Sequence, residues 1–196
     1  MRTRLSVTVE PVSSPRRDAD HDEWVVLRCQ IGEREAFDLL IARWHEPLWR
    51  YAMRVTADAD AAADVAQEVW LRVLRNFGRL REAARFQAWL FGIARRVLMD
   101  RLRVRYATPQ FEEVDLADLP NVTVEDDRAE DLALLEVGLA ELPLLERDVL
   151  VLFYLQDLSL SDIADVSGVP VGTVKSRLFR ARKMLREQLI LKGAQP

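Results

Sequence analysis

From Tyr106 to Asp127 the apolar rhythm that runs through the rest of this chain stops. The segment holds Pro109, Pro120 and a dense run of carboxylates, and nothing in it recurs at helical or strand spacing. It reads as a flexible acidic linker over 106–129. The 196 residues therefore divide into a helical unit over 23–105 and a smaller one over 130–192, preceded by a polar tail over 1–22 that carries Pro11, Ser13, Ser14 and Pro15.

On both sides of the linker, apolar residues recur every three to four positions and strand signals are nearly absent. The spacing predicts helices over 23–31, 33–55, 58–77, 84–105, 130–141, 144–156, 160–166 and 170–189. The fold class is all-α, two small helical domains, and the two share no repeated pattern. One cysteine, Cys29, rules out an internal disulfide, and two histidines are too few for a His-built metal site. No run approaches the ~20 apolar residues that cross a bilayer, and the polar start lacks the apolar core of a secretory signal. These features point to a cytoplasmic protein without membrane insertion.

A formal net charge of −4 argues at first against nucleic acid. The charge is segregated, however. Arg79–Arg105 holds eight arginines against Glu82 and Asp100, a local balance of +6. Val169–Lys192 holds seven basic residues against Glu187, again +6, whereas Tyr106–Asp131 stands at −8. Local patches, not the total, decide whether phosphates bind.

The second basic block belongs to a helix-turn-helix. Ser159 can cap a short helix with Asp162 three residues on. Ile163, Ala164 and Val166 give that helix its buried side, Gly168 ends it, and Pro170 suits the first turn of the next. Projected at 100° per residue, Val174, Leu178, Ala181 and Leu185 share one face of the second helix. Lys175, Ser176, Phe179, Arg182, Lys183 and Arg186 share the other. An aromatic among cations on a polar face is unnecessary for solubility, but it suits a major groove. Lys175, Ser176 and Phe179 are positioned to read base edges, and Arg177, Arg180 and Arg182 to hold phosphates.

In the first unit, Val65, Ala66, Val69, Trp70, Val73 and Phe77 form one face of a helix. Asp64, Gln67, Glu68, Leu71 and Arg75 form the opposite face. Leu71 is thus an apolar group inside a polar stripe, which fits either a docking surface or a solvated face with one stray leucine. The next helix puts Phe86, Trp89, Leu90, Ile93 and Val97 on one side. Its reverse side carries Phe91, Arg95, Met99 and Leu102, flanked by Arg96 and Arg103. Apolar groups mixed with arginine suit a second packing contact or the bases and backbone of a single strand. The preceding loop, 78–85, is basic and has room for an extruded base.

These residues resemble those of a known family, the extracytoplasmic-function sigma factors of bacterial RNA polymerase. Asp64-x-x-Gln67-Glu68-Val69-Trp70-Leu71 is similar to their polymerase-binding motif. Phe86-x-x-Trp89-Leu90-x-x-Ile93-Ala94-Arg95 is similar to the helix after it. Leu142-Pro143-x-x-x-Arg147-x-Val149 and Val169 to Arg177 resemble the second domain. The resemblance implies that Asp64, Gln67, Glu68 and Leu71 contact the clamp helices of core RNA polymerase. It implies that Leu80, Arg81, Arg85, Arg95, Arg96 and Arg103 serve the melted −10 element. It assigns Thr173, Lys175, Ser176, Arg177, Phe179, Arg180 and Arg182 to the −35 duplex of promoter DNA. An anti-sigma factor, often membrane-anchored in this family, is the implied inhibitor. Arg96 stands where many relatives carry Asn, which leaves the −10 base preference open.

No nucleophile–base pair, phosphate-cradling loop or metal-ligand set stands out, so binding rather than bond-making is the expected activity. No cofactor or small-molecule substrate is implied. A conventional helix-turn-helix regulator is the first alternative, but it needs a dimer seam, and none is visible. A sigma mimic that only sequesters an anti-sigma factor is the second, though it could dispense with Lys175, Arg177, Arg180 and Arg182.

Overall fold

A computed structural model describes residues 15–107 and 127–192, which form eight α-helices and no strand. The first group is α1 (Pro15–Gln30), α2 (Arg34–Thr56), α3 (Ala59–Asn76) and α4 (Phe86–Ala107). Two 3-10 turns, Phe77–Arg79 and Ala83–Arg85, lie between α3 and α4. The second group is α5 (Asp127–Ala140), α6 (Leu144–Tyr154), α7 (Leu160–Ser167) and α8 (Val171–Leu191). Most of the expected tail, and most of the linker, lie outside the described residues.

Local chemistry sets the helix ends. Gly32, at φ +87°, closes α1 as its N–H reaches the Cys29 carbonyl at 3.0 Å. The Asp58 side chain caps α3 by accepting from the Ala61 N–H at 3.0 Å. Ala57, between α2 and α3, adopts φ 54° without being glycine. One boundary differs from expectation: α1 begins at Pro15, not near Glu23. A proline in the first helical turn loses no hydrogen bond, so it starts the helix rather than preventing it.

The first group packs α2 and α4 against α3, burying Leu40, Leu48, Tyr51, Val65, Val69, Val73, Leu90, Phe91 and Leu98. An aromatic string reinforces it. Phe77 meets Phe37, Phe86 and Trp89, and Phe91 meets Tyr51 edge-on at 5.3 Å. In the second group α6, α7 and α8 close over Val149, Leu152, Ile163, Val174, Leu178 and Ala181.

The two groups touch. α7 lies along α4, and α5 and α6 lie against α2. Of the two readings of the reverse face of α4, a packing contact or a single strand, packing holds at two residues. Phe91 is fully buried against Trp44 and Tyr51 of α2. Arg95 faces the second group, not open solvent. A helix with apolar residues all round is a buried helix, and α4 has neighbours on both sides.

Candidate polymerase and nucleic-acid interfaces

The α3 stripe emerges as its projection requires. Val65, Ala66, Val69, Trp70 and Val73 are buried, while Asp64, Gln67 and Leu71 face outward and Glu68 is half-buried. Leu71 keeps 46% of its surface exposed. It lies with Leu74, Trp49, Ile41 and Trp70 along an open apolar groove that Gln67 and His45 edge with polar groups. Arg101 of α4 bridges Asp64 at 3.1 Å and Glu68 at 3.2 Å, and Arg72 also pairs with Glu68 at 2.6 Å. The carboxylates are thereby held upright beside Leu71. Both Asp64 and Arg101 remain exposed, so each pair adds little stability and much geometry.

The loop between α3 and α4 forms a cleft of about 340 Å³ with the start of α4. Arg79, Arg81, Arg85, Trp89 and Arg96 line it. Leu80 also lines the cleft. Its side chain is buried and its carbonyl accepts from the Gln30 amide at 2.7 Å, so it anchors the loop. Arg96 is exposed at the cleft. Arg103 lies away from it, exposed and 3.6 Å from Asp100.

Two arginines assigned to this surface are engaged by the second group. The Arg85 guanidinium donates to Asp165 at 2.6 Å and approaches Asp162 at 3.4 Å. Arg95 Nε donates to Asp148 at 2.7 Å, and the Tyr51 hydroxyl donates to the other Asp148 oxygen at 2.7 Å. Asp148 is fully buried. Burial raises its pKa above the ordinary carboxylate range, against the opposing pull of Arg95. Burial, with the Asp148 charge added, pushes the Tyr51 phenol well up.

Asp148 is the residue that sequence reasoning missed, although a signal existed. It sits on the same stripe of α6 as Val151 and Leu152, both fully buried. A carboxylate in an apolar stripe demands a partner. Its neighbour Arg147, noted only as part of a motif, reaches the carbonyls of Val55, Ala140 and Leu142.

The helix-turn-helix has the expected local anatomy. The Ser159 hydroxyl accepts from the Asp162 N–H at 3.1 Å. Gly168 ends α7 at φ 66° with its N–H on the Ala164 carbonyl. Along α8, Val174, Leu178 and Ala181 are buried, while Lys175, Ser176, Phe179, Arg180 and Arg182 are exposed. Phe179 is 70% exposed. Thr173 and Arg177 are half-buried. Arg180 pairs with Glu146 at 3.1 Å, and the Arg182 guanidinium lies 5.3 Å from the Tyr154 ring centre.

Two helical units, one presenting an arginine-lined cleft and the other a helix-turn-helix with an exposed aromatic, define the class: a helical transcription factor of the sigma-70 type. Sigma-70 region 2 matches residues 40–108, and sigma-70 region 4 matches residues 132–185. The RNA polymerase sigma-H factor of Pseudomonas aeruginosa is 32% identical over 182 residues, covering 87% of this chain and 94% of that one. The extracytoplasmic-function factor SigC of Mycobacterium tuberculosis is 32% identical over 174 residues, covering 85% and 92%. In fold, the chain is similar to the sigma factor RpoE of Bartonella quintana, solved with the anti-sigma factor NepR. That match has TM-score 0.68 and 24% identity, and covers 81% of this chain and 98% of that one. CnrH, solved with the cytosolic domain of CnrY, matches with TM-score 0.65 and 24% identity over 88% of this chain and 99% of that one. The chain belongs to the extracytoplasmic-function sigma factors of RNA polymerase. Its activity is therefore promoter-directed transcription initiation, with region 2 engaging the −10 element and region 4 the −35 element.

Proposed function

We propose a residue-level division of that activity. Asp64, Gln67, Glu68 and Leu71 grip core RNA polymerase. Arg81, Arg85 and Arg96, with Trp89, hold the separated strand of the −10 element. Lys175, Ser176 and Phe179 read the −35 duplex, while Arg177, Arg180 and Arg182 contact its phosphates. The single observation that carries the reading is Leu71, exposed in an apolar groove and flanked by carboxylates that Arg101 holds in place. A conventional regulator has no use for that groove.

The chain divides functionally near residues 106–129, with polymerisation chemistry left to the core enzyme and none performed by the factor. Among the described residues no helix is long and apolar enough to cross a membrane. We place the factor in the cytoplasm, under an anti-sigma factor that covers the α3 groove. The structural relatives solved with NepR and with CnrY support that partner class.

The test is gel filtration with purified core polymerase, followed by transcription from a genomic promoter library. The parent chain is expected to co-elute and to initiate. Leu71→Asp is expected to lose co-elution while keeping its helical content, because Leu71 contributes little to the core. Co-elution of Leu71→Asp equal to the parent refutes the assignment of this face.

A further inference from the structure

The chain meets its polyanionic partner almost entirely with arginine. Of 28 basic residues only three are lysines, Lys175, Lys183 and Lys192, and all three lie on α8 or at its end. The α3–α4 cleft carries Arg79, Arg81, Arg85 and Arg96, and Arg72 and Arg101 brace the α3 stripe, so neither surface holds a lysine. The distinction is chemical. A guanidinium stays charged and leaves acyl donors alone, whereas a lysine ε-amine accepts acyl groups. The three lysines also differ in setting. Lys192 pairs with Glu141 at 2.8 Å, and Lys183 approaches Glu187 at 3.9 Å. Lys175 is exposed and, among the described residues, pairs with no carboxylate. Glu146, the α6 carboxylate that reaches α8, is taken by Arg180 at 3.1 Å. The adjacent Ser176 hydroxyl is spent on the Thr173 carbonyl at 2.9 Å.

We propose that Lys175 is an acylation site, where transfer from a small acyl phosphate switches off −35 reading and leaves the other two surfaces intact. The inference rests on the assignment of Lys175 to the −35 duplex. In the step, the neutral ε-amine attacks the carbonyl carbon of the donor. A C–N bond forms, the C–O bond to phosphate breaks, and the leaving phosphate takes the amine proton. The product amide is neutral, so α8 loses a positive charge and the donors of an ammonium. It also gains an acyl group one turn from Phe179 on the same exposed face, where a groove needs close approach. The same chemistry finds no lysine in the α3 groove or the cleft. The acylated factor keeps its grip on polymerase and on the separated strand while losing its register on the duplex. Acyl-donor supply thus sets how far initiation depends on the −35 element.

The test treats the full chain with acetyl phosphate, removes the donor and maps the acetyl groups by peptide mass spectrometry. The treated chain is then assembled with untreated core polymerase. Holoenzyme is titrated, with anisotropy as readout, against fluorescein-labelled promoter DNA that the parent selects from the library. Acetylation is expected chiefly at Lys175, with co-elution unchanged and promoter binding about tenfold weaker. The same promoter with its −35 element scrambled is expected to bind treated and untreated factor alike. Lys183→Arg with Lys192→Arg is expected to show the parent's loss on treatment, and Lys175→Arg no further loss. A full loss in treated Lys175→Arg overturns the proposal, because another amine then carries the effect. Lys175→Gln, untreated, reports the −35 assignment separately. If it binds the promoter as the parent does, that assignment fails and the switch falls with it. If it binds weakly while acetyl phosphate leaves Lys175 unmodified, the assignment stands and the acylation site is overturned.

Discussion

Cys29 shows how much a single position states about its surroundings. It is buried at the end of α1, 3% exposed, and burial pushes its thiol pKa from 9.0 up to about 11. At pH 8 roughly one molecule in a thousand carries the reactive thiolate. Labelling by a thiol-specific disulfide reagent at pH 8 is therefore expected to be slow in the native protein and immediate in denaturant. Rapid native labelling contradicts the burial. The linkage has a definite sign. The folded pKa lies above the unfolded one, so the stability tied to the neutral thiol is complete below pH 9 and is lost as pH rises through about 11. Ala57 gives a second test at this scale. Its φ of 54° places a Cβ where an L-residue resists it. Ala57→Gly is expected to stabilise the protein by about 0.5–1 kcal/mol in denaturant unfolding, the relief exceeding the added chain entropy.

At the scale of elements, the sequence was informative wherever a helix has one dry and one wet face. α3 could be read almost residue by residue, because its buried face is wholly apolar and its outer stripe is polar apart from Leu71. α7 and α8 were equally legible, since Ser159, Gly168 and Pro170 punctuate them. That punctuation has measurable consequences. Ser159→Ala is expected to cost about 1 kcal/mol by leaving the Asp162 N–H without its acceptor. Phe179→Ala is expected to leave the melting midpoint nearly unchanged, because Phe179 is largely exposed, yet to weaken binding to a −35 duplex by ~1–3 kcal/mol. A comparable loss on every duplex sequence argues against base reading by Phe179. The helix that sequence leaves open is α4. Its reverse face suits a packing contact or a single strand equally, because periodicity shows which residues share a face but not what covers that face. Phe91 and Arg95 are covered, the first by α2 and the second by α6.

At the scale of the whole molecule, the contact that matters most joins residues 97 positions apart, Tyr51 and Asp148. No local pattern encodes such a pair; only the isolated carboxylate on the α6 stripe hints at it. The pair makes a prediction about cooperativity that a convenient accident of composition allows to be read out. All five tryptophans, Trp24, Trp44, Trp49, Trp70 and Trp89, lie in the first helical group, so tryptophan fluorescence reports that group alone. Far-ultraviolet circular dichroism reports helices of both groups. If this contact couples them, the two signals share one denaturant transition. Asp148→Ala, made in the second group, then shifts the tryptophan transition as well, because it leaves Arg95 and Tyr51 with no partner in a buried site. The expected loss is about 3–5 kcal/mol, the range for breaking a buried pair from one side. Tyr51→Phe keeps the Arg95–Asp148 pair and removes one hydrogen bond, so it is expected to cost about 1–2 kcal/mol. An unmoved tryptophan transition in Asp148→Ala, beside a shifted dichroism transition, means that the groups fold independently and that the buried carboxylate serves α6 alone.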